Sequence, residues 1–255
     1  MLLALLTPAC VVVHEVTEEE AFTSADAVDA LLLDGDAGDV RITGGDGDLA
    51  SVTRTLRWTG HDRPDTSMDE TGGTLELRAD CGDLALFCAV DWEITLPRAA
   101  VVDLDIASGD VSLEDLDGAV RARVGSGDLT LEGLSNELDI ATGSGDLTLR
   151  DLAGEAQLAT SSGSIDGDGL SSPTMDASTD SGDVRLVFAA DAATTDLLAF
   201  SGSGDVALTT PSGAWDLDVW TASGEVSLFG VEDDSAAGRH LTAHSTSGDI
   251  EVVGG

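Results

Sequence analysis

The side chains most capable of chemistry in this sequence are carboxylates that recur at nearly constant spacing. Each follows a Ser-Gly dipeptide. They are Asp110, Asp128, Asp146, Asp183, Asp205, Glu225 and Asp249. Rows of carboxylates can bind Ca²⁺, which takes oxygen ligands from acidic side chains and backbone carbonyls, so the first five are candidate metal ligands. In the alternative interpretation, which we favour, each Asp accepts hydrogen bonds from backbone N–H groups at its own corner while the preceding Gly adopts a positive φ.

These carboxylates belong to a repeat of about 20 residues. The tag Ser-Gly-Asp, or a close variant, recurs eight times. Its glycines are Gly109, Gly127, Gly145, Gly163, Gly182, Gly204, Gly224 and Gly248. The successive steps are 18, 18, 18, 19, 22, 20 and 24 residues. A period of this length indicates stacked repeats rather than one globular core.

Within each repeat, apolar residues alternate with polar ones. After Gly127 they are Leu129, Leu131, Leu134, Leu138 and Ile140. A period of two is typical of strands with one buried face, whereas an amphipathic helix needs spacings of three and four. Each repeat is therefore predicted to be strand, turn, strand and corner. The leucine between the strands recurs as Leu116, Leu134, Leu152 and Leu170, which indicates an aliphatic column inside a single all-β solenoid of about eight regular coils.

We divide the chain into three segments. Residues 1–25 are predicted to hold an export signal with a lipid-attachment motif, followed by an acidic tether. Residues 26–98 are predicted to form the N-terminal coils and a broader cap, because a solenoid needs atypical ends to cover its open edge. Residues 99–255 are predicted to form the regular coils. No shift in composition marks a second domain.

The outward positions of stacked strands become apolar near the C terminus. Leu198, Phe200, Trp220 and His244 are predicted to lie next to one another on the surface. An exposed apolar and aromatic patch on an acidic chain is a candidate partner-binding site. The alternative is that the longer segments 189–196 and 231–239 fold over these side chains and cover them.

The three cysteines have different predicted roles. Cys10 follows the apolar run MLLALLTPA, which is similar to a bacterial lipoprotein signal and is too short to span a membrane. We expect a lipid on Cys10; an ordinary secretory signal or a simple apolar start are the alternatives. Cys81 and Cys88 lack the close spacing of zinc sites and redox motifs. In an exported chain we expect a disulfide between them, and two buried thiols are the alternative.

The charge of the chain restricts its partners. It has 49 acidic residues, 11 arginines, no lysine and a net charge of −38. Nucleic acid is excluded, because phosphate binding needs a basic surface. Contact with anionic lipid is disfavoured, so we expect membrane association only through an N-terminal lipid. The charge also indicates solubility and resistance to edge-to-edge aggregation; cation binding or life in high salt is the other interpretation.

No catalytic constellation is present in the sequence. It contains four histidines and no G-x-S-x-G, phosphate-loop or HExxH motif. His240 and His244 share a strand face at a separation of about 13 Å, which is too far for joint metal ligation. We therefore expect no enzymatic activity, no catalytic residues and no cofactor, with Ca²⁺ as the exception to test.

The sequence resembles a known family in two places. Residues 92–134, WEITLPRAAVVDLDIASGDVSLEDLDGAVRARVGSGDLTLEGL, are similar to the bacterial "putative adhesin" domain of unknown function, and residues 31–45, LLLDGDAGDVRITGG, resemble its first coil. The resemblance covers about 26–253. It implies a β-solenoid and brings no catalytic residues. Members of the family are secreted, surface-anchored or membrane-attached, and some are tied to envelope-stress systems.

The residues and the resemblance together lead to one predicted function. We expect a non-enzymatic, adhesin-like binding or scaffold protein of the cell envelope, exported and anchored through a lipid on Cys10. Its expected partner is an envelope or surface protein or a glycan. The alternative is a Ca²⁺-dependent structural or stress-sensing module. A β-helix enzyme acting on polysaccharide is a third hypothesis with little support.

Overall fold

The computed structural model describes residues 14–60, 63–82 and 87–255, which form 24 β-strands. The strands of the N-terminal part are β1 (Glu15–Thr23), β2 (Ala30–Ala37), β3 (Val40–Gly45), β4 (Ser51–Thr59), β5 (Asp65–Thr71), β6 (Thr74–Asp80) and β7 (Phe87–Pro97). The regular repeats supply β8 (Val101–Ser108), β9 (Val111–Glu114), β10 (Val120–Ser126), β11 (Leu129–Glu132), β12 (Leu138–Ser144), β13 (Leu147–Arg150), β14 (Ala156–Ser162), β15 (Ile165–Leu170), β16 (Thr174–Ser181) and β17 (Val184–Phe188). The C-terminal strands are β18 (Asp196–Ser201), β19 (Val206–Thr210), β20 (Ala214–Thr221), β21 (Val226–Phe229), β22 (Glu232–Asp233), β23 (His240–Ser245) and β24 (Ile250–Gly254).

The strands form two sheets of 12 strands each. The first sheet has the order β1-β4-β7-β3-β9-β11-β13-β15-β17-β19-β24-β21, and the second has the order β22-β20-β23-β18-β16-β14-β12-β10-β8-β2-β6-β5. Each repeat gives one strand to each sheet, so the chain winds around a common axis. All pairings from β8 to β24 are parallel. The all-β solenoid predicted from the repeat is confirmed.

The core is a stack of aliphatic layers between the two sheets. The predicted leucine column is buried: Leu116, Leu134, Leu152 and Leu170 are each 0% exposed. The backbone around it is linked from coil to coil, since the carbonyl of Leu116 accepts from the N–H of Ser135 at 3.1 Å. Burying a leucine completely contributes roughly 1.5–3 kcal/mol. Each coil is too thin to bury its leucines alone and depends on its two neighbours.

The corner glycines let successive coils approach closely. Their φ values lie between +144° and +159°, a region that side chains other than glycine rarely adopt. A Cβ on Gly145 would lie 1.9 Å from the carbonyl oxygen of Gly127, and the other corner glycines show the same approach. Behind several corners, a hydroxyl donates to the glycine carbonyl of the preceding coil, as Thr160 does to Gly145 at 3.1 Å. The repeat therefore needs glycine for both conformation and space.

The corner carboxylates join one coil to the next. Asp110 Oδ1 accepts from the backbone N–H of Asp128 at 2.9 Å, and Asp128 Oδ1 accepts from the N–H of Asp146 at 2.8 Å. The series continues to Asp249, whose Oδ1 accepts from the N–H of Glu225 at 2.8 Å. The corner carboxylates accept hydrogen bonds from backbone N–H groups, as predicted. The prediction that these N–H groups belong to the same corner is wrong, because the parallel register places the N–H of the neighbouring coil beside each carboxylate.

The N-terminal end of the solenoid is closed by antiparallel strands. Strand β4 pairs antiparallel with β1 and with β7, and β5 pairs antiparallel with β6. Phe22 and Met68 pack against the core from these outer strands. The Arg54 guanidinium carbon lies 5.5 Å from the centre of the Phe22 ring. We call these antiparallel strands the N-terminal cap.

The acidic tether predicted before residue 26 is wrong for the residues that the structure describes. Residues Glu15–Thr23 form the edge strand β1. Their acids are balanced by arginines: Arg63 contacts the carboxylates of Glu18 and Glu20, each at 2.9 Å. The hydrogen bond from Arg63 holds the pKa of Glu18 below its ordinary value. A run of glutamates can therefore pair as a strand when neighbouring arginines compensate its charge.

The last two coils do not stack in chain order. Strand β23 lies between β18 and β20, and β24 lies between β19 and β21. The coil made of β20 and β21 is therefore outermost, although it comes earlier in the chain. Residues 230–239 provide the link that brings the chain back. Arg239 at its end lies 3.9 Å above the ring of the fully buried Trp215.

Replacing a corner glycine is expected to destabilise the solenoid strongly. Gly145→Ala would impose a positive φ on an L-residue and push its Cβ into the Gly127 carbonyl, so we expect a loss of more than about 3 kcal/mol in the free energy of unfolding. Gly47→Ala is the matched control, because nothing lies closer than 4.0 Å to its added Cβ. Urea denaturation measures both. Equal free energies of unfolding for the two variants would contradict the conclusion that the corner needs glycine.

Two substitutions at a corner carboxylate test the contributions of its hydrogen bond and of its negative charge separately. Asp128→Ala removes the acceptor for the Asp146 N–H, and we expect a loss of about 1 kcal/mol. Asp128→Asn keeps a carbonyl acceptor and removes repulsion between carboxylates roughly 4.8 Å apart, worth about 1 kcal/mol in water. We therefore expect the Asn variant to be at least as stable as the parent in low-salt urea denaturation. An Asn variant as unstable as the Ala variant would mean that the charge itself is needed.

Candidate binding face

Three neighbouring strands carry the outward apolar side chains near the C terminus. In the register of the second sheet, Phe200 on β18 pairs with His244 on β23, and His244 pairs with Trp220 on β20. Leu198 lies two residues before Phe200, on the same side of β18. The four predicted residues are therefore brought together. We call Leu198, Phe200, His244 and Trp220 the aromatic face.

The aromatic face is accessible to a partner. Trp220 is 53% exposed and Leu198 is 38% exposed, while Phe200 and His244 are half-buried. The rings of Trp220 and His244 meet edge to face, with centroids 6.0 Å apart. The segments 189–196 and 231–239 leave Trp220 and Leu198 open, so the covering alternative does not describe this structure. Ring contacts of this kind hold side chains in place and lower the entropy lost on binding.

Carboxylates flank the aromatic face on its outer side. His244 Nε2 lies 3.3 Å from Asp218 Oδ1, and His240 Nδ1 lies 3.2 Å from Asp216 Oδ2. Both pairs connect β23 to β20. The two histidines therefore contact different carboxylates.

A shallow cavity of about 380 Å³ adjoins Leu198 on the same sheet. Its lining mixes apolar and polar residues and includes the five carboxylates of Glu137, Asp139, Glu155, Asp176 and Asp196. Asp176 pairs in register with Gln157 on one side and Leu198 on the other. Burial raises the pKa of the Asp176 carboxyl above its ordinary value. The cavity therefore offers hydrogen-bond acceptors and repels anions.

The corner carboxylates proposed as metal ligands form a row along one edge of the solenoid. Each of Asp110, Asp128, Asp146, Asp183 and Asp205 uses Oδ1 to accept a backbone N–H from the next coil, at 2.7–2.9 Å. Among the described residues, no group of three or more His, Cys, Asp or Glu side chains is arranged to hold a metal ion. The second oxygen of each carboxylate is the atom left for a cation, so calcium binding stays a prediction.

Two of the three cysteines lie near the N-terminal end of the described solenoid. Cys81 and Cys88 are joined by a disulfide, with their Cα atoms 5.7 Å apart. The bond connects the residue after β6 in the second sheet to the beginning of β7 in the first, so it ties the two sheets together near the cap. Cys10, the predicted lipid-attachment site, lies outside the described residues.

Two features of this region could not be found from the repeat alone. The chain-order inversion makes His244, rather than Trp220, the direct neighbour of Phe200. The ten residues between β21 and β23 indicate an irregular connection, because the segments that connect earlier strands are shorter. The acidic cavity beside Leu198 arises from the lateral packing of five strands, which sequence spacing does not describe.

The part of the chain that the structure describes includes no helix with the length and hydrophobicity required to cross a membrane. Among curated proteins, no sequence matches this chain. Several solved structures are similar. A "putative adhesin" from Bacteroides fragilis NCTC 9343 is 17% identical with a TM-score of 0.54, covering 93% of this chain and 97% of its own. At this identity the likeness supports the fold alone.

Two other structures align over most of the chain at lower scores. A "putative cell adhesion protein" from Clostridium sporogenes ATCC 15579 is 12% identical with a TM-score of 0.33, covering 94% of this chain and 100% of its own. A "putative lipid binding protein" from Parabacteroides distasonis ATCC 8503 is 10% identical with a TM-score of 0.28, covering 93% and 96%. The family model for Toastrack DUF4097, a domain of unknown function, matches residues 28–253. With nearly the whole solenoid inside that match, the chain belongs to the Toastrack DUF4097 family.

Proposed function

We propose that this protein is a non-enzymatic, adhesin-like binding protein of the bacterial cell envelope, exported and held there by a lipid on Cys10. The observation that carries the proposal is the aromatic face. An exposed Trp220 beside His244, Phe200 and Leu198 is unusual on a chain with a net charge of −38. Exposed apolar clusters rimmed by polar groups are typical of interaction sites, and tryptophan is among the residues that most often dominate binding energy.

The electrostatics of the surroundings restrict the chemistry of the partner. Asp216 and Asp218 lie beside the two histidines, and the adjoining cavity is lined with further carboxylates. Like charges facing one another cost binding energy and slow association. The partner is therefore a neutral or cationic surface protein or glycan that contacts the rings of the aromatic face. Anionic partners such as nucleic acid or an anionic lipid surface are disfavoured.

The position of the aromatic face suits display away from a membrane anchor. A lipid on Cys10 would lie close in sequence to β1, which is the N-terminal edge of the first sheet. The aromatic face centres on β23, nine strand positions from the N-terminal edge of the second sheet. At a strand spacing of about 4.8 Å, this corresponds to roughly 40 Å. The solenoid then acts as a rigid spacer between the membrane and the binding face.

A second candidate function is a Ca²⁺-dependent structural or stress-sensing module. The observation in its favour is the row of corner carboxylates, each with one oxygen that makes no backbone hydrogen bond in the series described above. Ca²⁺ between adjacent carboxylates would offset their repulsion and stabilise the stack. No cation is needed for the coils to hydrogen-bond one another, which is why we rank this function second.

Substitution of the aromatic face is expected to abolish partner binding. We expect Phe200→Asp with Trp220→Asp to lower the affinity for an envelope extract immobilised on a sensor by at least tenfold, because two central apolar anchors are lost and negative charge is added. The matched control is Leu32→Asp with Val101→Asp, two apolar residues that are 41% and 48% exposed on N-terminal strands of the same sheet. Thermal melting verifies that both variants fold.

Comparison with the control variant also shows which results would contradict the proposed binding site. If the aromatic-face variant binds the extract as well as the parent does, the site assignment is wrong even though the fold stands. If both double variants lose binding equally, added negative charge rather than the aromatic face explains the loss.

Calcium titration distinguishes the two candidate functions. If the corner carboxylates serve only the neighbouring coil, the melting temperature should rise by similar amounts with Ca²⁺ and Mg²⁺ at equal concentration, since both screen a chain of net charge −38. A rise with Ca²⁺ well below millimolar that Mg²⁺ does not reproduce, and that Asp128→Asn with Asp146→Asn removes, would favour the calcium-dependent module instead.

A further inference from the structure

The two ends of the solenoid differ in how they finish the core. At the N-terminal end, antiparallel strands cross over the last layer, and Phe22 and Met68 pack against it. At the C-terminal end, the outermost coil consists of β20 and β21 and is followed only by the two-residue strand β22. Among the described residues, nothing comparable to the N-terminal cap lies over this coil.

Strand β21 therefore exposes side chains at positions whose counterparts on the neighbouring strand β24 are buried. Val226 and Leu228 pair in register with Ile250 and Val252 on β24. The β24 residues are 1% and 0% exposed, whereas Val226 is 42% exposed and Leu228 is 45% exposed. The next residue, Phe229, is 56% exposed. The interior of the solenoid is thus open to solvent at β21, and we call Val226, Leu228 and Phe229 the open edge.

The backbone of β21 is also open. It is the last strand of the first sheet, so one side of it carries N–H and C=O groups without a strand partner among the described residues. The corner series ends here as well: Asp249 accepts from the Glu225 N–H, and Glu225 occupies the position from which every earlier carboxylate reaches the next coil. Unpaired strand edges with apolar side chains are templates for strand addition.

We propose that the open edge accepts an extended strand from a partner protein, one that alternates apolar and polar residues and carries lysine or arginine beside its apolar positions. Added to β21, such a strand would form main-chain hydrogen bonds and cover Val226 and Leu228 with its own apolar side chains. This surface is separate from the aromatic face, which lies on the outward side of the other sheet.

The acidic residues around the open edge favour a partner strand that carries basic residues. Glu225 precedes the open edge, and Glu232, Asp233 and Asp234 follow it in the adjoining link. The arginine in this region is already engaged: Arg239 stacks on Trp215 and donates to the carbonyls of Thr194 and Ser212. Asp233 and Asp234 accept the backbone N–H groups of Leu217 and Ala236. Among the described residues no arginine or histidine pairs with the four acids, so their charge is available to a partner. Opposite charges near a strand-addition site raise the association rate and fix the partner's register.

A second copy of the chain fits this edge less well. It would bring the same acids next to those of the first, within the screening length of about 8 Å at physiological salt.

Fluorescence anisotropy of labelled peptides tests the proposal with the full chain. The probe is a peptide of about eight residues that alternates valine and threonine between lysines, and its matched control has glutamates in place of the lysines. We expect the basic peptide to bind at least tenfold more tightly than the acidic one. Leu228→Asp should weaken binding of the basic peptide at least tenfold, because it places a charge where the apolar side chains meet.

Variants and light scattering separate this site from the others. Leu198→Asp, in the aromatic face, should leave peptide binding unchanged, so failure of the proposed function and failure of this inference can be told apart. Equal binding of the basic peptide to the parent and to Leu228→Asp would overturn the proposal. A dimer seen by light scattering for the parent and lost in Leu228→Asp would also overturn it, since the occupant would then be a second copy.

Discussion

The close approach of coils at the corner glycines is the constraint on which the rest of the molecule depends. The carbonyl of one corner glycine lies about 2 Å from where a Cβ of the next would be, so any other residue would push the coils apart. With the coils separated, the parallel ladders, the buried hydroxyls such as Thr160 and the leucine column would lose their contacts together. Backbone geometry at a single position per repeat therefore sets the spacing at which all side chains stack.

The same spacing explains how so acidic a chain remains folded. Stacking places carboxylates of neighbouring coils near one another, where repulsion of about 1 kcal/mol per pair opposes the fold. At the corner, hydrogen bonds from backbone N–H groups offset that repulsion, as between Asp110 and Asp128. Elsewhere the arginines are placed against acids, as Arg123 is against Asp139 at 2.5 Å. Charge on this protein is thus tolerated at the corners, where backbone N–H groups compensate it, and on the strands where arginines do so.

The regular repeats could be predicted from sequence because each position in them has one physical role. Leu134 has to be buried and Gly127 has to adopt a positive φ at the corner, and the repeat spacing of the leucines and glycines indicates both. The exceptions come from long-range pairing. Strand β1 is stabilised by Arg54 on β4 and Arg63 in the loop before β5, which compensate Glu18 and Glu20, and no local pattern indicates that. The placement of β23 between β18 and β20 buries Leu241 and Ala243 fully, and the repeat spacing does not indicate it.

That inversion of order links the fold to its two candidate surfaces. Because β23 takes the interior position, the coil of β20 and β21 is displaced to the end of the stack. Its outward Trp220 then lies beside His244 at the margin of the second sheet, and its inward Val226 and Leu228 lose the covering layer that every earlier coil has. Interior coils have both faces committed to their neighbours. A terminal coil has one face without a neighbouring coil, so both candidate surfaces lie at or next to the place where the stacking pattern ends.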